Sequence, residues 1–352
     1  MEKEMKNKRI FKYDFIRVTG MLVILIFHFN VSLAAHNIPG KILFGIYNAN
    51  GSYADIGVPL FFILSGATLM QSARRDFKSF YKKRFLAIFP LFWLAYFIVL
   101  IYYFLKYKSI HPFVAQPEHW TALLTIIGID GYFAGVLPTF YLLGEWFLGC
   151  LLFMYLLFPL LQTGVKKYPK ITAFLVIMIY FIVIHKYVFL ESKFQNIWVR
   201  LPEFVFGMYL AEYCGKVKKV VCLSVLVITV MLLFVPLADR FLIYIVTVRG
   251  MTCYLTCDFL GEQLEGKLCW WQKNIFEWLS RYSFAIYLLH HVISEQIISS
   301  YDGIALSNIE LVLLFIIVIM ADFSAGWLLA KLESCVRKKL CFVIRHEKNA
   351  IS

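Results

Sequence analysis

The chain has 352 residues, 61% of them hydrophobic and only 16% charged, with a net charge of +13. A soluble domain of this size runs nearer half apolar and a quarter charged, so the composition describes an integral membrane protein. Lys and Arg kept in cytoplasmic loops then explain the positive charge, and nucleic-acid binding is set aside because no soluble domain is present to do it.

The first apolar run, Tyr13 to Asn30, opens with Asp14 and Arg17 and carries His28 well inside it. It is too long for a signal peptide and lacks a small-residue cleavage site, so a retained anchor is expected. Apolar length predicts ten transmembrane helices, at about 15–36, 56–72, 85–106, 140–162, 171–190, 200–214, 219–237, 241–260, 281–300 and 309–331. The second and sixth are short, and each contains Gly or Pro. Residues 107–139 form the longest outward loop, in which Ala122 to Ile129 is expected to dip into the interface rather than cross. Loops of that length in compact proteins are more often functional than not. No repeat, low-complexity segment or linker divides the chain. The expectation is an all-α, polytopic protein with a single membrane domain over 1–352.

Charge follows this count. Lys3, Lys6, Lys8, Arg9 and Lys12 precede the first helix, and RRDFKSFYKKR at 74–84 precedes the third. KKYPK, KVKK and the tail after the tenth helix add further basic groups, whereas the alternate segments hold few. The positive-inside rule then puts both termini in the cytoplasm. None of the eight cysteines falls in an outward loop, so reduced thiols are expected.

Arg17 and His28 are eleven residues apart, nearly three helical turns, so they share one face at a separation of about 16 Å along the axis. Arginines near helix ends often snorkel to the headgroups. His28 lies about 20 Å into a core about 30 Å thick, too deep for its short side chain to do the same. A neutral imidazole there can take a proton from a hydroxyl and return it. Asp14, three residues before Arg17, is placed to orient it.

Other polar groups punctuate the chain. Ser65 and Gly66 make a small notch in the second helix, where close helix packing is the plainer role of Gly57 and Gly66. Arg74, Arg75, Lys83 and Arg84 satisfy the topology rule and would equally suit a phosphorylated cytosolic ligand. Glu145 with Trp146, and Arg200 with Glu203, read either as interfacial anchors or ion pairs, or as part of a sugar-binding cleft. The ninth helix carries Tyr282, Ser283, Tyr287, His290 and His291. Tyr287 and His291 share a face. No metal site is expected, since adjacent histidines point about 100° apart and no carboxylate accompanies them at ligand spacing.

In this order the pieces resemble the acyltransferase family 3 of ten-span membrane proteins, which modify cell-surface glycans and related acceptors. The most specific part is the Arg-X10-His pattern met by Arg17 and His28. Gly57-Val58 with Phe61-Phe62 and Ser65-Gly66, Arg84 leading to Pro90 and Trp93, and Tyr282-Ser283 followed by Tyr287-Leu288 and His290 are similar too. There are departures. Where many polysaccharide-modifying members have a Trp-Ser-Leu phrase with an acidic residue after it, this chain has Trp146-Phe147-Leu148 with Glu145 before it. Glu333 stands without the proline that often follows, and no fused extracytoplasmic hydrolase-like domain is expected.

The resemblance implies an acyl-CoA co-substrate, most often acetyl-CoA, approached from the cytoplasm, with no permanently bound cofactor. Its phosphates would meet Arg17, Arg74, Arg75, Lys83 and Arg84. His28 would act as general base or acyl relay, and Ser65, Tyr287 or His290 would partner the thioester carbonyl. Ser65, Glu145, Trp146, Tyr287 and His290 are the expected substrate contacts. The expected acceptor is a cell-surface or lipid-linked glycan, and the expected location is the cell membrane. A transporter is the chief alternative, because short interrupted helices and polar groups at depth also fit a carrier, although no paired interrupted helices or internal symmetry is present. A scaffold or sensor is the third.

Overall fold

The structure, a computed structural model, describes residues 9–38, 43, 56–72, 76–112, 116–143, 146–187, 192–215, 219–234 and 241–351, with side chains for all of these except 233–234 and 340–351. Every regular element among them is helical. The helices are α1 (Phe11–Ala35), α2 (Gly57–Ser72), α3 (Phe77–Tyr107), α4 (Ala122–Ile126), α5 (Asp130–Phe133), α6 (Trp146–Lys167), α7 (Pro169–Lys186), α8 (Ile197–Tyr213), α9 (Lys219–Phe234), α10 (Leu242–Glu265), α11 (Trp270–Ile298) and α12 (Asn308–Ile351). All but α4 and α5 fall on the ten apolar segments expected. Six of them, α1, α3, α6, α7, α10 and α12, are long and apolar enough to cross a membrane. Shorter apolar helices occupy Gly57–Ser72 and Lys219–Leu232. Leu156, Leu160, Phe174, Val220 and Met320 are more than half exposed on these helices, a surface suited to lipid.

Two boundaries differ from the apolar count for local reasons. Helix α3 begins at Phe77 because the Asp76 carboxylate accepts from the backbone N–H of Lys78 and Ser79, both at 3.2 Å. That N-cap satisfies donors a helix start leaves open. Lys83 and Arg84, expected in a loop, are therefore helical. Helix α12 runs past the apolar stretch, where Arg337 pairs with Glu333 one turn earlier at 3.2 Å.

Packing divides the chain into two compact units, Met1–Ala35, Gly40–Arg74 and Cys150–Ser283 as the first, His36–Pro39, Arg75–Gly149 and Phe284–Ser352 as the second. In the first, α2 and α8 cross at backbone contact. A Cβ on Gly66 would lie 2.0 Å from the Phe204 carbonyl oxygen, and one on Gly207 would lie 1.9 Å from that of Ile63. No other residue type fits such a crossing, which is the packing role expected of Gly66. Gly57 likewise admits Ile24 and the Gly20 carbonyl of α1. Ile16, Leu60, Ile63, Leu64, Cys253 and Tyr254 close the core between α1, α2 and α10. The described cysteines are all free thiols.

In the second unit, α3 packs on α12. The segment after α3 is pinned back onto it: Trp93 Nε1 donates to the Ile126 carbonyl at 2.8 Å, and Tyr96 Oη to that of Phe140 at 2.6 Å. Helix α4 has five residues, about 8 Å, and cannot cross a 30 Å core. Its Leu123 and Ile126, with Ile127, are exposed, in keeping with a stretch that dips rather than spans. Asp130 closes the turn beneath it, accepting from Thr125 Oγ1 and from the Gly131 N–H, each at 2.9 Å.

Candidate active site

The first unit carries the Arg17–His28 helix. The Arg17 guanidinium donates from Nη1 to Ser280 Oγ of α11 at 2.7 Å. The Ser280 hydroxyl in turn donates to Asp14 Oδ1 at 2.5 Å and also accepts from Arg9 Nη2 at 3.3 Å. Asp14 takes its closest cation from Arg9, whose Nε reaches both carboxylate oxygens at 2.9 and 3.1 Å and whose Nη2 reaches Oδ1 at 3.0 Å. Arg17 is 3.6 Å from Asp14, too far for a hydrogen bond. Asp14 is therefore hydrogen-bonded to Arg17 only through Ser280, and meets it directly as an ion pair.

This arrangement fixes a guanidinium with one of its five N–H donors. The other donors retain the planar fork that suits a phosphate. A side chain that merely snorkels to the headgroups needs no such hydroxyl bracket. Arg9 adds a second cation, held further by Glu277 at 3.4 Å.

His28 lies deeper on the same helix face and is half-buried, its ring edge-on to Phe27 with centroids 4.8 Å apart. Between the two functional groups the face is apolar, with Ile24 under Gly57. Two residues beyond His28, the buried Asn30 amide brackets the backbone of Leu43, donating to its carbonyl at 3.1 Å and accepting from its N–H at 3.0 Å. This is the pairing one strand residue offers another, supplied here by a side chain.

On the other side of α1, Lys12 bridges Asp258 at 2.9 Å and Glu262 at 3.1 Å of α10. A cavity of about 160 Å3 opens there, lined among others by Cys214, Cys222, Val225 and Phe259. Arg200 and Glu203 form a buried ion pair at 2.8 Å, with Arg200 Nε also donating to the Phe194 carbonyl. The ion-pair reading of that set holds, and the anchor reading fails because both groups are buried. Ser65 is half-buried on α2, its carbonyl accepting from Thr68 Oγ1 at 3.3 Å.

In the second unit, Trp146, Tyr287 and His290 are linked through rings. Phe147, next to Trp146, meets Tyr287 edge-on at 5.7 Å, and Tyr287 in turn lies 6.0 Å from His290. His290 is fully buried, with Nδ1 2.7 Å from the Tyr287 carbonyl oxygen. Lys83 is exposed and Arg84 half-buried in the early turns of α3. Arg74, Arg75 and Glu145 lie outside the described residues.

Three groups escaped the sequence reading. Ser280 is 263 positions from Arg17, and one hydroxyl in SRYS carries no pattern of its own. Asn30 was visible as an amide in an apolar helix. Asp322, a carboxyl within the apolar run of α12, was the plainest signal of the three.

The fold and this site define a membrane protein that holds cationic and imidazole groups along one helix. The chain matches the family model for the acyltransferase 3 domain over residues 10–330 and belongs to that family. No curated protein and no solved structure matches it.

Proposed function

We propose that the protein is a ten-span O-acyltransferase of the cytoplasmic membrane with both termini in the cytoplasm. It moves an acyl group, acetyl in the first instance, from acyl-CoA to a hydroxyl of a cell-surface or lipid-linked glycan. Arg17 holds the donor phosphates, and His28 takes the proton of the acceptor hydroxyl or relays the acyl group. In the direct form, the hydroxyl oxygen bonds to the thioester carbonyl carbon and the C–S bond breaks. The proton lost to His28 then leaves with the thiolate as CoA thiol. The observation that supports this reading most is the hydroxyl bracket on Arg17, eleven residues from His28 on one helix face. It keeps a charged donor headgroup at the helix start and brings the reactive end toward the imidazole.

The test uses the full chain purified in detergent, with labelled acetyl-CoA and a glycan extract. Label appearing in the glycan is the expected result, and because no sealed compartment is present it separates an enzyme from a carrier. Intact acetyl-CoA and unlabelled glycan would sink the reading.

A further inference from the structure

Asp322 is 1% exposed, and among the described residues neither of its carboxyl oxygens has a hydrogen-bond partner. The side chains of Leu311, Leu314, Val318 and Leu329 on the same helix are buried with it. At 100° per residue these positions and Asp322 fall on one stripe about 80° wide, so Asp322 faces the interior of its unit rather than lipid. Gly326, one turn further on, faces α11: a Cβ there would come within 2.5 Å of Ile286 Cγ1 and 2.9 Å of its backbone nitrogen.

That contact fixes the direction of the helix pair. Were α12 parallel to α11, residues 298 and 308 would be about 45 Å apart, and the nine residues between them reach about 35 Å. The helices are therefore antiparallel, which brings the turn of Asp322 level with the turn of α11 that carries His290. A carbonyl oxygen only accepts, so the 2.7 Å bond to Tyr287 places a proton on His290 Nδ1. In the neutral ring the lone pair is then on Nε2.

Burying a carboxyl with neither oxygen bonded is costly, and a leucine would fill the same space without that cost. Intramembrane carboxyls of this kind mark substrate or ion paths. We propose that Asp322 is a ligand-binding carboxyl, and that the core of the second unit takes a polar, hydroxyl-bearing molecule whose O–H donates to it. If the reading above holds, that molecule is the acyl acceptor, and only this part of the inference rests on that reading.

Two arms test it. Asp322→Cys and Val318→Cys, one turn apart on the same buried stripe, are treated with the hydrophilic reagent sodium (2-sulfonatoethyl) methanethiosulfonate, and each position is followed by peptide mass mapping. Modification at 322 should be at least about tenfold faster than at 318, since exchange follows access. Equal rates would mean a sealed site and overturn the proposal. In the second arm, Asp322→Leu should raise the KM for acceptor about tenfold, the loss of one hydrogen bond, with the donor KM unchanged. An unchanged acceptor KM overturns the ligand role. Asp322→Leu should keep the melting temperature of the native protein; a large fall would show that the carboxyl is bonded within the protein and also overturn it. A native protein that transfers no acyl group sinks the functional reading alone, because the modification arm needs no substrate.

Discussion

Asp14 and Asp130 are both buried carboxyl groups, one in each unit, and they are satisfied by different kinds of partner. Asp14 receives three N–H contacts from Arg9 and the Ser280 hydroxyl. Asp130 receives one hydroxyl and one backbone N–H, both neutral. A carboxylate matched by a guanidinium makes charge-assisted hydrogen bonds and serves as a fixed electrostatic anchor. One matched by neutral dipoles keeps its burial cost, and burial pushes the Asp130 carboxyl up to about 6. The first region therefore holds charge in place, and the second is a fold element whose stability varies with pH.

The largest expected effect tests whether the chemistry lies outside the anchor altogether. His28→Ala should lower acyl transfer by about 10²–10⁴-fold, the usual span for losing a general base. Insertion and accumulation in the membrane should be unchanged, since the ring is only half-buried. Full transfer in that variant would return the chemistry to the charged end of α1 and break the division of labour.

Ser280 is where the anchor acts on Arg17, so its removal should act on donor binding. Arg17→Ala should raise the donor KM by about 10–100-fold, as expected for a hydrogen bond to a charged group, with kcat little changed. Ser280→Ala should raise it about tenfold, and Ser280→Thr should restore it because the hydroxyl returns. A drop in melting temperature with an unaltered donor KM in Ser280→Ala would reduce the network to a clamp between α1 and α11.

Much of this was legible in the sequence. The ten helical segments stand out because apolar length is a local property. Arg17 and His28 stand out because a charge or imidazole in such a run is costly. Ser280 could not be found that way, since a hydroxyl costs little anywhere and its role comes from a helix far along the chain. Charge sets the end of an apolar run and so puts Lys83 and Arg84 in a loop, while the helix itself is set by the Asp76 cap. The same limit hid the length of α12, where the helix outlasts its apolar part.

The smallest effect belongs to Asp130, and its sign follows from its burial. Its folded pKa of about 6 lies above the ordinary aspartate value, so the folded protein holds this proton more tightly than the unfolded chain does. The group costs nothing when both states are protonated, below about pH 4. Stability then falls as pH rises toward 6 and levels off above it. The full loss is at most about 2–3 kcal/mol, at 1.36 kcal/mol per unit. Asp130→Asn can still accept from the Gly131 N–H and can donate to Thr125 Oγ1, without ever becoming charged. The variant should therefore melt at or above the native temperature at pH 8, and the difference should shrink toward pH 4. A difference that stays constant from pH 4 to pH 8 would mean that Asp130 is as well compensated as Asp14, and the contrast between the two regions would disappear.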